Sequence, residues 1–209
     1  MPRYLIKFVS QLSHAEDLRS GKLFMRPASY YHGLELGQGD VTEGAISHEA
    51  AIYQNSQWAI YCMYTVKDDD IDNDGNIHIS NRVINEFTNR DGYAVIVDRD
   101  KFEKRLSTVK TNGYALQAGE INYHYITFED TGTMLTTNRP LNLAIKHPYF
   151  KYQNEYRIVV SRAVPRRQES IDYYFLSDLC NCSRILPVAK MIIGNDEYII
   201  PNKEVNFNG

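Results

Sequence analysis

Short apolar or alternating runs recur along the chain, and they predict more strands than helices. β-branched and aromatic residues dominate these runs, as is typical of half-buried and buried strands. Residue 198 onward is expected to form an edge strand and tail. The runs that predict strands are 4–9, 23–26, 58–66, 93–97, 121–128, 149–160, 171–176 and 190–193.

Helices are predicted where a capping residue precedes apolar residues spaced three or four apart. Ser13–Glu16 and Asp100–Glu103 match the capping-box pattern, and Gly21 is expected to end the first helix. Ser80 is expected to cap a further helix, and Leu141–Ile145 predicts a short one. Together these elements predict an α+β fold: a single strand-rich domain over 1–209 with mixed or antiparallel sheets and a few short helices.

Composition limits the classes of protein to consider. The chain has 209 residues, 43% of them hydrophobic and 23% charged, which is ordinary for a globular protein. A net charge of −3 argues against a bulk nucleic-acid-binding surface. The apolar runs are too short to span a membrane, and the first residues do not form a secretory signal. Three cysteines indicate a reducing compartment, so we expect a cytoplasmic protein without a membrane partner.

Tyrosine is unusually frequent, with 16 tyrosines against one tryptophan. Tyrosine is common in half-buried strands, and it also stacks on flat ligands while offering a hydroxyl. Composition alone leaves both interpretations open.

Polar side chains interrupt the apolar stretch Tyr149–Val160. If this stretch is a strand, Gln153, Glu155 and Arg157 lie on one face, because alternate residues of a strand point the same way. One interpretation is a solvent-facing stripe of an antiparallel sheet. The other is a cleft in which Glu155 meets developing positive charge while Gln153 and Arg157 hold a ligand.

Acidic residues suggest two candidate cation sites. Asp70-x-Asp72-x-Asp74-Gly75-x-Ile77 matches the first eight positions of an EF-hand calcium loop. Residue 81 is asparagine where that loop needs a bidentate glutamate, so the pattern favours an acidic connection between a strand and a helix. Asp40 and Glu43 are the second candidate, holding magnesium beside Glu155.

The order of motifs resembles the opening and late strands of ADP-ribosyltransferases. Leu18-Arg19-Ser20-Gly21-Lys22-Leu23 precedes a strand that ends near tyrosines, and Gln153-Asn154-Glu155 is similar to the family's Gln-x-Glu motif. The resemblance implies that Glu155 is catalytic and Gln153 orients the acceptor. It implies NAD as the substrate, bound by Lys7, Arg26, Ser29, Tyr30, Tyr31 and Arg157, although Lys7 stands where the family has arginine or histidine.

A second resemblance covers most of the chain. Gly39-Asp40-x-x-Glu43-Gly44 and Gln153-x-Glu155-Tyr156-Arg157 are similar to segments of uncharacterised proteins of bacteria and their phages. This resemblance implies no activity.

Three functions are therefore considered. The first is an ADP-ribosyltransferase-like enzyme that uses NAD to modify a macromolecule in conflict between bacterium and phage. The second is a non-catalytic inhibitor that binds a nucleotide or a partner protein in a tyrosine-lined cleft. The third is a metal-dependent phosphodiesterase or nuclease that uses Asp40, Glu43 and Glu155. The target and the oligomeric state are left open.

Overall fold

The structure is a computed structural model that describes residues 3–31, 57–110, 115–124, 145–161, 171–205 and 207. The chain forms two compact units. Unit 1 comprises Met1–Leu23, Met63–Lys110 and Tyr174–Gly209, and unit 2 comprises Phe24–Cys62 and Thr111–Tyr173. Antiparallel sheets and short helices confirm the strand-rich α+β class. The extent of a single domain over 1–209 stays a prediction.

Thirteen strands and four α-helices are found among the described residues. The strands are β1 (Tyr4–Val9), β2 (Lys22–Pro27), β3 (Trp58–Val66), β4 (Ile77–Ser80), β5 (Tyr93–Asp98), β6 (Leu116–Glu120), β7 (Asn122–Tyr123), β8 (Ile145–Lys146), β9 (Glu155–Ser161), β10 (Asp172–Phe175), β11 (Ser183–Pro187), β12 (Ile192–Ile193) and β13 (Glu197–Ile200). The α-helices are α1 (Leu12–Arg19), α2 (Ala28–Tyr31), α3 (Asn81–Phe87) and α4 (Arg99–Leu106). Short 3-10 helices cover Asp68–Asp70, Pro148–Gln153, Val188–Lys190 and Asn202–Glu204.

Unit 1 is built on the antiparallel strands β1, β5 and β11. β5 pairs with β1 on one side and with β11 on the other, in a register that sets Val97 opposite Leu5. These central residues are fully buried, which fits the near-continuous apolar run of β5. A second sheet has the order β12-β13-β4. β13 therefore pairs on both sides, and the prediction of an edge strand from Tyr198 is wrong.

Local side-chain chemistry sets the helix starts in unit 1. Ser80 caps α3 as predicted, accepting a hydrogen bond at 3.4 Å from the Val83 amide. Asp98, not Asp100, caps α4 by accepting from the Lys101 amide at 3.0 Å, because β5 runs directly into that helix. The capping box predicted from Ser13 is also wrong, since α1 begins at Leu12 and Ser13 is already helical.

Gly21 ends α1, as predicted. Its φ is +90°, a conformation that favours glycine, and its amide donates to the Leu18 carbonyl at 2.8 Å. The Gly21 carbonyl accepts a hydrogen bond from the Leu176 amide at 2.7 Å. The end of α1 is therefore fastened to the segment that follows β10.

Unit 2 is organised around β9. This strand pairs antiparallel with β6, with Ala118 opposite Ile158, and it also pairs with β3. Val159 of β9 packs with Ile60 of β3 and Ala28 of α2 in a buried apolar cluster. β7 and β8 form a short parallel pair. Parallel and antiparallel pairs are therefore both present, in a fold predicted to have mixed or antiparallel sheets.

Several predicted elements differ from the structure. The predicted strand 149–160 is a 3-10 helix to Gln153 followed by β9, because Pro148 presets the helical φ at the first position and the Tyr149 amide donates to the His147 ring. Ile145 lies in a strand and not in the predicted helix, the rest of which is outside the described residues. Residues 190–193 contain only the short β12, and residues 125–128 of another predicted strand are outside the described residues.

Asn154 makes the turn from the 3-10 helix into β9 with a φ of 40° and a ψ of 48°. Asparagine adopts this left-handed conformation with little strain, glycine with less, and a β-branched residue with most. We expect Asn154→Gly to change the free energy of unfolding by less than about 0.5 kcal/mol. We expect Asn154→Val to lower it by roughly 1–3 kcal/mol. Urea unfolding of both variants measures this, and equal stability of the two would contradict the strained turn.

Candidate functional site

Unit 2 contains a buried group of charged and polar side chains, here called the charged network: Lys146, Gln153, Glu155 and Arg157. All four residues are at most 6% exposed. Lys146 ends β8, Gln153 ends the 3-10 helix, and the two remaining residues lie on β9. Three separate backbone elements therefore meet in one buried network.

The carboxylate of Glu155 is held from both sides. Arg157 Nε donates to Glu155 Oε1 at 2.6 Å, and Lys146 Nζ donates to Glu155 Oε2 at 3.1 Å. The same ammonium donates to Gln153 Oε1 at 2.7 Å and lies 5.1 Å from the centre of the Phe150 ring. Lys146 thus links the amide and the carboxylate that the sequence suggested as a pair.

Burial and charge act in opposite directions on Glu155. Burial alone raises the pKa of the Glu155 carboxyl, but the charges of Arg157 and then Lys146 outweigh it and hold this pKa well below its usual range. The carboxylate therefore stays ionised at neutral pH. Burial, followed by the Glu155 charge, raises the pKa of the Tyr123 phenol, whose oxygen accepts from the Glu155 amide at 2.8 Å.

The geometry corrects one part of the predicted face. Glu155 and Arg157 do share a face of β9, as their contact confirms. Gln153 is not on that strand, because it ends the 3-10 helix and the left-handed Asn154 separates it from β9. Gln153 reaches the network through the turn, and the three side chains are buried instead of forming a solvent-facing stripe. The catalytic roles of Glu155 and Gln153 stay predictions.

A second group of side chains in unit 2, here called the aromatic–guanidinium cluster, consists of Phe24, Arg26 and Tyr30. The Arg26 Cζ lies 4.3 Å from the centre of the Tyr30 ring and 5.2 Å from that of the Phe24 ring. All three side chains are half-buried. Phe24 and Arg26 are alternate residues of β2, so they lie on one face of that strand.

Further rings extend the cluster at both ends. Tyr31 meets Tyr30 edge to face with ring centres 5.3 Å apart, and Tyr173 meets Phe24 with ring centres 5.9 Å apart. The side chain of Tyr173 is exposed. The aromatic rings and the Arg26 guanidinium therefore form one connected group of side chains that is partly exposed.

The remaining predicted NAD-binding residues occupy other positions. Ser29 belongs to α2 and is fully buried, next in sequence to Tyr30. Lys7 lies on β1 opposite Val95 and belongs to unit 1, whereas the other predicted residues belong to unit 2. Their predicted roles in binding NAD stay predictions.

The acidic segment from Asp70 uses its carboxylates in local hydrogen bonds. Asp70 accepts from the Lys67 amide at 2.8 Å and from the Tyr64 hydroxyl at 3.1 Å. Asp72 accepts from the backbone amides of Asp74 and Asn76, both at 2.9 Å. Within the described ranges, no group of three or more His, Cys, Asp or Glu side chains is placed to hold a metal ion. Asp40 and Glu43, the other predicted cation ligands, lie outside the described residues.

Sequence reasoning missed Lys146, Tyr123 and Phe24. Lys146 is seven and nine residues from its two partners, so no local period connects them. Tyr123 reaches Glu155 from 32 residues away. Phe24 was detectable, because it alternates with Arg26 in a run whose intervening residues are apolar.

No family model, curated protein or solved structure matches this chain. The resemblance to ADP-ribosyltransferases therefore stays a prediction. In the described part of the chain, every helix is too short or too polar to cross a membrane.

Because Glu155 is paired with two buried cations, we expect Glu155→Gln to lower the free energy of unfolding strongly. Removing the anion leaves two buried cations without their shared partner, which typically lowers the free energy of unfolding by about 3–5 kcal/mol. The matched control is Glu103→Gln, which removes a more exposed carboxylate paired with Arg99 at 2.9 Å. This substitution should change the free energy of unfolding by less than about 1 kcal/mol. Denaturant unfolding of both variants measures the difference, and similar losses in the two would contradict a structural role for Glu155.

Proposed function

We propose that this protein is a non-catalytic binding protein whose ligand is a nucleotide, held at the aromatic–guanidinium cluster. The observation that supports this most directly is the position of Arg26, with its guanidinium over the Tyr30 ring and near the Phe24 ring. Stacking on a ring holds a guanidinium in a defined orientation.

The chemistry of the cluster suits a ligand with a flat ring and a phosphate. Nucleobases stack on aromatic side chains, and this stacking contributes about 1–3 kcal/mol per base. An arginine binds phosphate through two parallel hydrogen bonds, which a lysine does not reproduce. Phe24 and Tyr30 supply ring surfaces next to Arg26, and the exposed Tyr173 adds a further ring against Phe24. A nucleotide combines both features in one molecule.

The state of Glu155 favours binding over catalysis. Cleavage of a nicotinamide–ribose bond builds positive charge on the sugar, and a carboxylate accelerates it by stabilising that charge. Two cations already lie 2.6 Å and 3.1 Å from the Glu155 oxygens, so their repulsion opposes a third positive charge nearby. A network of this kind maintains structure more readily than it stabilises a sugar cation.

ADP-ribosyl transfer from NAD to a macromolecule is the second candidate. One observation favours it: Gln153 and Glu155, the residues that the resemblance implies as catalytic, both accept from the Lys146 ammonium and so lie side by side. A role in conflict between bacterium and phage belongs to this proposal as well.

Titration calorimetry with adenosine, AMP, ATP, GTP and NAD tests nucleotide binding. We expect AMP and ATP to bind and adenosine to bind more weakly, because adenosine lacks the phosphate. Arg26→Ala should weaken AMP binding by about tenfold or more, the usual effect of losing a charge-assisted hydrogen bond. Arg90→Ala, which removes the same charge from an exposed position, should leave it unchanged. If none of these nucleotides binds, or if Arg26→Ala and the wild type bind AMP with equal affinity, the proposed nucleotide site is excluded.

Mass spectrometry of NAD incubated with the protein and a cell lysate separates the two candidates. We expect NAD to be recovered intact. Release of nicotinamide that disappears in Glu155→Gln, in protein shown to be folded by circular dichroism, would favour the transferase instead.

A further inference from the structure

His78, in unit 1, lies between two carboxylates. Its Nε2 is 3.1 Å from Asp72 Oδ2, and its Nδ1 is 2.9 Å from Glu197 Oε1. His78 stands on β4 opposite Ile199, and Glu197 stands on β13 opposite Ser80, so the two side chains are diagonal neighbours across the strand pair. The His78 side chain is 29% exposed, which leaves it accessible to protons.

This geometry requires both ring nitrogens to donate. Ionised carboxylates only accept hydrogen bonds, and a neutral imidazole carries a single N–H. A neutral His78 would turn a lone pair toward one of the two carboxylates and lose that hydrogen bond. The doubly protonated imidazolium satisfies both partners and adds an attraction between opposite charges.

Asp72 connects His78 to a larger hydrogen-bonded assembly. Besides His78, the Asp72 carboxylate accepts from the Asn76 side chain at 2.9 Å, which fixes the loop around Gly75. The Asn76 side-chain oxygen accepts from the Asn202 amide at 3.0 Å, and the Asn202 side chain donates to the Asp74 carbonyl at 2.9 Å. The loop is thereby joined to the residues that follow β13.

We propose that His78, protonated between Asp72 and Glu197, is a pH-sensitive clasp that ties the loop Asp72–Asn76 to β13 and loosens when the imidazole loses a proton. Asp72 approaches His78 from the loop and Glu197 approaches from β13, and these two carboxylates have the largest effects of any charged groups on His78. His78 belongs to unit 1, whereas the proposed nucleotide site belongs to unit 2.

The direction of the pH effect follows from the two partners. The hydrogen bonds that His78 donates to Asp72 and then to Glu197 raise the pKa of His78. A group whose pKa rises on folding stabilises the fold fully below its unfolded pKa, about 6.5 for histidine, and this contribution is lost as pH rises through the folded value. Hydrogen bonds from Asn76 and then His78 lower the pKa of Asp72, so the contribution of Asp72 is lost in acid. The stabilisation from the clasp is therefore complete between about pH 4 and pH 6.5, and it is lost above this range as the folded His78 gives up its proton.

Amide hydrogen exchange in the β4–β13 pair tests the clasp on the full chain. We expect the protection of the amides around Ile79 and Ile199, corrected for the intrinsic pH dependence of exchange, to fall by roughly threefold or more between pH 6 and pH 8. His78→Gln should abolish this dependence, because glutamine does not titrate. The matched control His14→Gln, at an exposed position of α1, should retain it.

Nuclear magnetic resonance titration of the imidazole provides a second readout that does not depend on stability. We expect the His78 midpoint to lie above that of unfolded histidine in the wild type and to fall in Glu197→Gln, which keeps the shape but removes one charge. Protection that is independent of pH in the wild type, or a His78 midpoint that Glu197→Gln leaves unchanged, would overturn the proposal.

Discussion

Unit 2 depends on the ion pairs that the buried Glu155 carboxylate makes with the Lys146 ammonium and the Arg157 guanidinium. Burying charges is expensive, with an effective penalty of several kcal/mol per ion, and the penalty is offset only when geometry and hydrogen bonding are good. That requirement constrains β8, the 3-10 helix and β9 together. A shift in any one of them would separate a buried charge from its partner.

The two groups of side chains in unit 2 differ in burial and in chemistry. The charged network is buried and internally compensated, so it is suited to fixing the backbone. The aromatic–guanidinium cluster is half-exposed and offers ring faces and a cation, so it is suited to contacting a ligand. Two of its three members, Phe24 and Arg26, lie on β2, and a strand positions side chains more precisely than a loop does.

The parts of the fold that sequence predicts well are those set by local chemistry. The predicted bounds of β1 and β3 are confirmed at both ends, because their apolar runs are stable only when they are buried in a sheet. Residues 149–153 were mispredicted because tyrosine and phenylalanine favour strands, while one proline and the His147 cap favour a helical turn. The helix-start signals outweighed strand propensity there.

The candidate site was predictable only in part, because some of its contacts join side chains from separate elements. Glu155 and Arg157 are two apart in sequence, so strand geometry sufficed to place them together. Lys146 comes from another element, and only the folded chain shows that it joins Gln153 to Glu155. The identity of a helix cap likewise depends on where the preceding strand ends, which decides between Asp98 and Asp100.

The end of α1 carries a consequence for recognising relatives of this chain. A Cβ atom added at Gly21 would lie 2.5 Å from the Leu176 carbonyl oxygen and 3.0 Å from that of Ser177, both of them backbone atoms that cannot rotate away. Steric exclusion therefore acts there together with the positive φ, and even alanine would force the two segments apart. Distant relatives that keep this junction should retain glycine at the equivalent position, however far their surfaces have diverged.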